Sequence, residues 1–223
     1  MNHEDGNNIV ESPGNLGIDP QTAAYDIREI LAASGKGSGI LAQRRAMLEW
    51  AGKVRRRYSE SFWIDEARVG GLEHLVWHDT EFHLVRKATH DGSFGRTVRS
   101  LDRGLVPATP LEYLERWTLH NQLFAPITKV SGILEKAGGE LSILIQQEPL
   151  LGDLPNEKQI ADFMEHFGFT PLLRKRFAWM AVESQTVVFD ARPANFVLVD
   201  RTPIPFDLIT LPASQVLGLP VSI

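Results

Sequence analysis

The chain has 223 residues, a formal net charge of −5 at pH 7, and 43% hydrophobic and 23% charged residues. This balance is typical of a globular protein and excludes a wholly disordered chain. Cysteine is absent, which excludes disulfides, thiolate zinc sites, iron–sulfur clusters and cysteine nucleophiles. No apolar run is long enough for a membrane span, and residues 1–20 lack the apolar core of a signal peptide. We therefore expect a cytoplasmic protein with no membrane partner.

The N-terminal part of the chain predicts a helical extension. Residues 1–20 are rich in Asn, Gly, Asp and Pro, and we expect them to form a flexible or loosely docked tail. Apolar residues recur at helical spacing over 21–33 and again over 40–58, and the glycine-rich run 34–39 separates the two stretches. This pattern predicts a helical hairpin within 21–60.

Beyond the hairpin, short strands are mixed with helices. Three short strands are predicted between 61 and 89, followed by an amphipathic helix over 111–124. A two-stranded hairpin around Ala137–Gly139 and a second helix over 156–167 come next, and the remainder is strand-like. This order predicts an α+β fold over 61–223 rather than alternating βα units.

One segment carries the residue types that phosphoryl transfer requires. Asp190 closes an apolar strand, Asn195 opens the next apolar strand, and Asp207 follows a third apolar run. Phosphoryl transfer uses a carboxylate that positions the nucleophile, together with oxygen ligands that hold Mg²⁺ against the phosphates. We therefore expect Asp190 to be a catalytic residue and Asn195 and Asp207 to be metal ligands.

A second set of candidates lies upstream, where a lysine follows a glycine turn. Gly70 and Gly71 open a predicted hairpin, and Lys87 ends its last strand. A glycine turn lets the backbone approach phosphates, and a lysine on a nearby strand can pair with them. The next predicted helix offers Glu115 or Glu112 to hold that lysine. The choice between the two stays open, with Glu115 preferred.

At these residues the sequence resembles the protein kinase-like fold. The stretch Asp190–Asn195 is similar to the kinase catalytic loop, with Arg192 where kinases usually have lysine. Asp207 looks like the metal-binding aspartate that follows this loop, and Lys87 looks like the lysine of the third strand. More narrowly, residues 66–210 resemble the kinase-like domain found in polyvalent proteins of phages and conjugative elements. The stretches that carry this resemblance are GGLEHLVWHD, LVRKATHDGSFG, LEYLERWTLHNQLF, FMEHFGF and FDARPANF.

The resemblance implies a truncated two-lobed protein kinase-like fold that binds ATP and Mg²⁺ between its lobes. The N-lobe-like part would cover 61–150, and a minimal C-lobe-like part would cover 151–223. The connection that begins with Gln146, Gln147 and Glu148 would act as the hinge, whose backbone meets the adenine.

Several positions depart from the kinase pattern. Val188 and Phe189 stand where kinases have His-Arg before the catalytic aspartate, and Leu208 follows Asp207 where kinases have phenylalanine. Residues 208–223 are too few for an activation segment and a helical platform that holds a peptide. We therefore expect a small-molecule or partner-supplied acceptor.

Plainer structural interpretations of the same residues stay open. Asp190 and Asn195 are residue types that favour turns, and Asp207 can cap the end of a strand. Lys87 can be a solvent-facing strand cation beside Arg86. Alternation places the two side chains on opposite faces of the sheet, but it does not show which of the two faces solvent.

Two other functions also stay open. A pseudokinase would keep the kinase-like shape, bind nucleotide or nothing, and act through a protein partner. An accessory factor of a mobile element would use Arg55, Arg56 and Arg57 to contact nucleic acid or an acidic partner. Because the whole chain is acidic, a solvated helix face is the simpler interpretation of these arginines.

Overall fold

Helices and β-sheets are mixed in this protein, which confirms the α+β class expected from the sequence. The computed structural model describes residues 9–10, 16–35, 37–59, 69–102, 104–125, 127–172 and 175–217. By compactness the chain divides into two units. The first combines residues 1–95, 108–114 and 128–147, and the second combines 96–107, 115–127 and 148–223.

The described residues form the following elements. The strands are β1 (Ile9–Val10), β2 (Arg57–Ser59), β3 (Val69–Gly70), β4 (His74–Asp79), β5 (Leu84–Thr89), β6 (Arg96–Thr97), β7 (Val106–Pro107), β8 (Lys129–Glu135), β9 (Leu141–Gln147), β10 (Thr170–Pro171), β11 (Trp179–Ala181), β12 (Thr186–Phe189), β13 (Phe196–Val199), β14 (Thr202–Pro205) and β15 (Ile209–Pro212). The helices are α1 (Pro20–Ser34), α2 (Ile40–Lys53), α3 (Pro110–Leu123), α4 (Glu157–His166) and α5 (Ala213–Leu217), with a 3₁₀ turn at Pro193–Asn195.

The first unit is built on one large mixed sheet. Within the described residues its strand order is β1-β2-β8-β9-β5-β4-β3. The pairs β1–β2 and β2–β8 are parallel, and the other pairs are antiparallel. All residues of β9 are buried, which fits its central place in the sheet. The hairpin predicted around Ala137–Gly139 is confirmed as β8–β9.

One glycine of β8 is required by close packing. At Gly132 the register between β8 and β9 shifts, and the φ angle of this residue is 156°. A Cβ atom added there would lie 2.3 Å from Arg56 O and 2.4 Å from Tyr58 Cε2. Only a residue without a side chain allows β2 to approach β8 so closely at this bulge.

Part of the segment expected to be a flexible tail is attached to this sheet. β1 pairs with β2, and Ile18 and Val130 exchange two backbone hydrogen bonds of 2.9 and 2.7 Å. A Cβ atom on Gly17 would lie 2.4 Å from Lys129 Cβ, so the chain packs tightly there. The remainder of the predicted tail lies outside the described residues.

The helical hairpin is confirmed, but its second helix is shorter than expected. Asp19 caps α1 by accepting a hydrogen bond from Gln21 N at 2.8 Å, and Gly35 ends the helix in the left-handed conformation. The prediction of a helix over 40–58 is wrong beyond Lys53. Arg55 has a φ angle of 54°, and the chain then extends into β2, because pairing with β8 replaces the helical hydrogen bonds.

The second unit contains a smaller antiparallel sheet with the order β10-β11-β12-β15, and β13 and β14 form a separate hairpin. The helices predicted over 111–124 and 156–167 are confirmed as α3 and α4. The strand-like stretch 203–209 is divided between β14 and β15, because its two halves pair with different strands. One apolar core of this unit contains Phe124, Ile160, Met164, Phe169, Trp179, Val188, Phe196 and Leu208.

In the described part of the chain, no helix combines the length and the apolar character needed to cross a bilayer.

Candidate functional site

The small sheet of the second unit determines where the segment 190–208 begins and ends. Phe189, the last residue of β12, pairs with Ile209, the first residue of β15. Asp190 and Leu208 therefore lie beside the same rung of the ladder. Asp207 is one residue further, and its charge adds to the burial that raises the pKa of Asp190.

The loop that follows β12 is closed by hydrogen bonds to Asp190. Asp190 has a φ angle of 60°, in the left-handed region that aspartate tolerates better than most residues. Asn195 Nδ2 donates to Asp190 O at 2.7 Å and to Asp190 Oδ2 at 2.8 Å. Arg192 Nε forms an ion pair with Asp190 Oδ1 at 3.1 Å. The two residues singled out by their spacing are thus in direct contact.

Asp207 is fixed from two directions. Phe206 N donates to Asn195 O at 3.0 Å, which holds the bend before β15 against the loop. Arg116 of α3 donates from Nη2 to Asp207 Oδ1 at 2.9 Å and from Nε to Leu208 O at 2.9 Å. The Arg116 side chain is only 1% exposed, so Asp207 is the counter-ion of a buried cation.

Burial raises the pKa of the Asp190 carboxyl above its ordinary value of 3.8. The hydrogen bond from Asn195 and the charges of Arg192 and Arg116 act in the opposite direction, while the charge of Asp207 raises the pKa further. A half-buried carboxylate with a raised pKa beside a second carboxylate is a common arrangement in functional sites.

The chemistry of this cluster fits a hard divalent cation. Asp207 supplies carboxylate oxygens and Asn195 supplies an amide oxygen, which are ligand types that Mg²⁺ uses in proteins, and the carboxylate of Asp190 lies beside them. Because Asn195 Nδ2 is engaged with Asp190, the atom that Asn195 offers to a metal is Oδ1. The donor set therefore fits Mg²⁺ without any change of residue type.

Both cations of β5 are buried, so the interpretation of Lys87 as a solvent-facing cation is wrong. Arg86 is 1% exposed and Lys87 is 3% exposed. Arg86 Nε pairs with Asp79 Oδ2 at 2.6 Å, and its Nη1 donates to Gln146 Oε1 at 3.1 Å. Arg86 is thus part of a buried network that stabilises the sheet, and Lys87 lies on the opposite face.

The predicted phosphate turn is a tight turn between β3 and β4. Gly71 N donates to His74 O at 2.8 Å, and His90 Nε2 donates to Gly71 O at 2.7 Å. Gly70 pairs with Leu75 at the end of β3. Gly71 is exposed at the edge of the sheet, where its backbone can meet a ligand.

Most of the predicted hinge lies inside the central strand of the first unit. Gln146 pairs with Arg86 on one side and with Lys129 on the other. Gln147 is buried, and its Nε2 donates to Thr128 Oγ1 at 2.6 Å. The residue that leaves the sheet is Glu148, which is exposed, and the second unit resumes there.

The two candidate glutamates of α3 have different environments. Glu112 forms a capping box with Thr109, because Thr109 N donates to Glu112 Oε2 at 2.7 Å and Glu112 N donates to Thr109 Oγ1 at 3.3 Å. Glu115 is half-buried and belongs to the second unit, whereas Lys87 belongs to the first unit. The pairing of Lys87 with Glu115 stays a prediction.

Sequence reasoning missed Arg116. The helical spacing of Tyr113, Trp117 and His120, all buried, places Arg116 on the inward side of α3. An arginine on the inward side of a helix requires a buried counter-ion, and this was the signal that could have found it. The structure therefore assembles Asp190, Asn195, Asp207 and Arg116 in one cluster.

Two of the three arginines proposed to contact nucleic acid make contacts within the first unit. Arg57 forms an ion pair with Glu135, and Arg56 Nη1 donates to Ser131 O at 3.1 Å. Arg55 is exposed. These contacts favour a structural role for Arg56 and Arg57.

Comparison with protein-family models, with curated proteins and with solved structures found no significant match for this chain.

Proposed function

We propose that this protein is a kinase-like protein that binds ATP with Mg²⁺ and transfers a phosphoryl group to a small-molecule or partner-supplied acceptor. The observation that carries the proposal is the convergence of Asp190, Asn195 and Asp207 in one half-buried cluster of the second unit. Their spacing in the sequence resembles the kinase catalytic loop and metal-binding aspartate, and their oxygens are the ligands that Mg²⁺ prefers.

In this proposal Asn195 and Asp207 hold the metal ion. The bound ion would neutralise charge on the phosphates, which is its usual contribution to phosphoryl transfer. Asp190 orients the acceptor hydroxyl and takes its proton. Its half-buried position suits this task, because a raised pKa makes the carboxylate a better proton acceptor near neutral pH.

The proposal assigns Lys87 and the turn at Gly70 and Gly71 to the phosphates of the nucleotide. Lys87 is buried on a strand of the large sheet, and the phosphate-binding lysine of kinases also lies on a strand. The neighbouring Arg86 already has its partners in Asp79 and Gln146, and it is therefore not a phosphate ligand in this proposal.

Phosphoryl transfer by the purified protein tests the enzymatic part. Labelled ATP is incubated with Mg²⁺ and a panel of small hydroxyl and amine acceptors, and both transfer and hydrolysis are measured. Asp190→Ala is expected to lower the rate at least ~100-fold, because general-base catalysis contributes that much or more. Asp162→Ala, which removes an exposed carboxylate paired with Lys158, is the matched control. Equal rates in the wild type and Asp190→Ala would contradict the proposed catalytic function.

A pseudokinase is the second candidate, and one contact favours it. Arg116 already occupies Oδ1 of Asp207, one of the two oxygens that this carboxylate can offer to a metal. A pseudokinase that binds nucleotide would be stabilised by ATP. In the transfer assay, however, Asp190→Ala and the wild type would have the same rate. It would then act through a protein partner.

A further inference from the structure

A pocket of about 240 Å³ lies within the second unit, between the first half of α4 and the segment that leads into β11. The buried residues that line it are all apolar: Ile160, Ala178, Trp179 and Ala191. An apolar cavity of about 150 Å³ is large enough to bind benzene. This pocket therefore has room for one aromatic ring with a short substituent.

The charged residues that line the pocket have a positive balance. They are Glu157, Lys175 and Arg176, and all three are exposed. Arg176 Nη2 pairs with Glu157 Oε1 at 2.6 Å, and the Arg176 guanidinium carbon lies 4.5 Å from the centroid of the Phe177 ring. Glu157 thus balances Arg176, and Lys175 adds one positive charge. In a protein of net charge −5, this pocket is a local exception that favours an anion.

The wall of the pocket is held in an unusual backbone conformation at Phe177. This residue has a φ angle of 60°, which is rare for a bulky side chain. Its carbonyl accepts a hydrogen bond of 3.0 Å from Ala191 N, and Leu172 N donates to Ala178 O at 2.9 Å. Such strain persists only where the surrounding structure fixes it, and it is concentrated at ligand sites. The wall is therefore fixed against the loop that begins at Asp190, as expected for a preformed pocket.

We propose that this pocket is a binding site for a small aromatic anion, such as an aromatic carboxylate. The ring packs against Ile160 and Trp179, and the acidic group pairs with Lys175 at the exposed side. The residues that line the pocket do not include those of the candidate metal cluster. The inference therefore goes beyond the proposed function, and its test requires neither ATP nor Mg²⁺.

Benzoate, benzyl alcohol and benzylamine test the proposal, because they share one ring and differ in charge. Each compound is titrated into the isotope-labelled full chain, and the indole N–H signal of Trp179 is followed by heteronuclear NMR. The loss of this signal in Trp179→Phe identifies it. Lys175→Gln removes the cation at an exposed position and is expected to fold normally. Lys158→Gln is the matched control, because Lys158 is an exposed lysine that pairs with Asp162 and does not line the pocket.

Benzoate is expected to shift the Trp179 signal and to bind more tightly than benzyl alcohol, while benzylamine binds most weakly. Lys175→Gln should weaken benzoate binding about threefold to fivefold, the effect of one exposed ion pair, and should leave benzyl alcohol binding unchanged. Lys158→Gln should match the wild type with all three compounds. The inference is overturned if benzoate causes no saturable shift of the Trp179 signal, or if benzylamine binds as tightly as benzoate. Equal benzoate affinity in the two lysine variants would also overturn it.

Discussion

Arg116 and Asp207 form the ion pair that joins α3 to the bend before β15, with Nη2 and Oδ1 2.9 Å apart. Arg116 is almost completely buried, and Asp207 is 23% exposed. A buried guanidinium that loses its carboxylate keeps the full penalty of desolvation. The pair therefore stabilises the second unit, whatever ligand the cluster binds.

Asp207→Ala should lower the free energy of unfolding by about 3 kcal/mol, because the buried guanidinium of Arg116 loses this carboxylate. Chemical denaturation followed by fluorescence measures the change. Asp153→Ala, at an exposed aspartate of the same unit, should change it by less than about 0.5 kcal/mol. A loss of similar size in both variants would show that the ion pair has no special role.

Asp190→Asn should raise stability at pH 7 by about 0.5–1 kcal/mol, a gain typical of relieving a destabilised functional position. The folded state raises the pKa of Asp190 above 3.8, so the ionised carboxylate opposes folding. The stabilisation from the bound proton is complete below pH 3.8 and is lost as pH rises through the folded-state pKa.

Thermal unfolding of the wild type and Asp190→Asn across this pH range tests the assignment. The two curves should converge in acid and separate as the pH rises. Asn also accepts the left-handed backbone of this position, so the variant introduces no new strain. A variant that is less stable than the wild type by the same amount at every pH would contradict the raised pKa.

Asp79→Ala should destabilise the first unit by about 3 kcal/mol, since it breaks the ion pair with the buried Arg86. Asp91→Ala serves as the comparison because Asp91 pairs with Lys136 at the surface, and such pairs contribute about 1 kcal/mol or less. Urea denaturation of both variants gives the difference. Equal effects would mean that Arg86 has other partners able to replace Asp79.

Gly132→Ala should lower stability by about 3 kcal/mol or prevent folding, because the new methyl group would clash with Arg56 O and Tyr58 Cε2. Gly138 lies at the tip of the β8–β9 hairpin, where a Cβ atom would meet nothing within 4 Å. Gly138→Ala should therefore be nearly neutral. The two variants are compared by thermal unfolding, and a well-tolerated Gly132→Ala would show that β2 does not approach β8 as described.

The fold class and most elements could be predicted because they depend on local patterns. The apolar periodicity of α1 and the turn of the β8–β9 hairpin are both encoded within short stretches. The end of α2 at Lys53 could not be predicted, because the extended conformation of β2 depends on pairing with β8, which lies far along the chain. Long-range pairing overrides local helical preference there.

The candidate site was predictable to the extent that it is local. Asp190 and Asn195 are joined within one short loop, and their residue types and spacing pointed to it. Arg116 is 91 positions away from Asp207 in the sequence, so no motif connects them. Lys87 lies in the first unit, and its role as a phosphate ligand stays a prediction.

The most direct test of the account is the stabilisation of the protein by ATP with and without Mg²⁺. With ATP at ~100 times its dissociation constant, the wild type should gain about 2.7 kcal/mol of stability. Chelation of the metal should remove most of this gain. Asn195→Ala should lose the magnesium-dependent part of the gain, while the variant without ligand keeps a normal unfolding transition. A melting temperature that ATP and Mg²⁺ together leave unchanged, or a gain that Asn195→Ala fully retains, would contradict the proposed metal–nucleotide site.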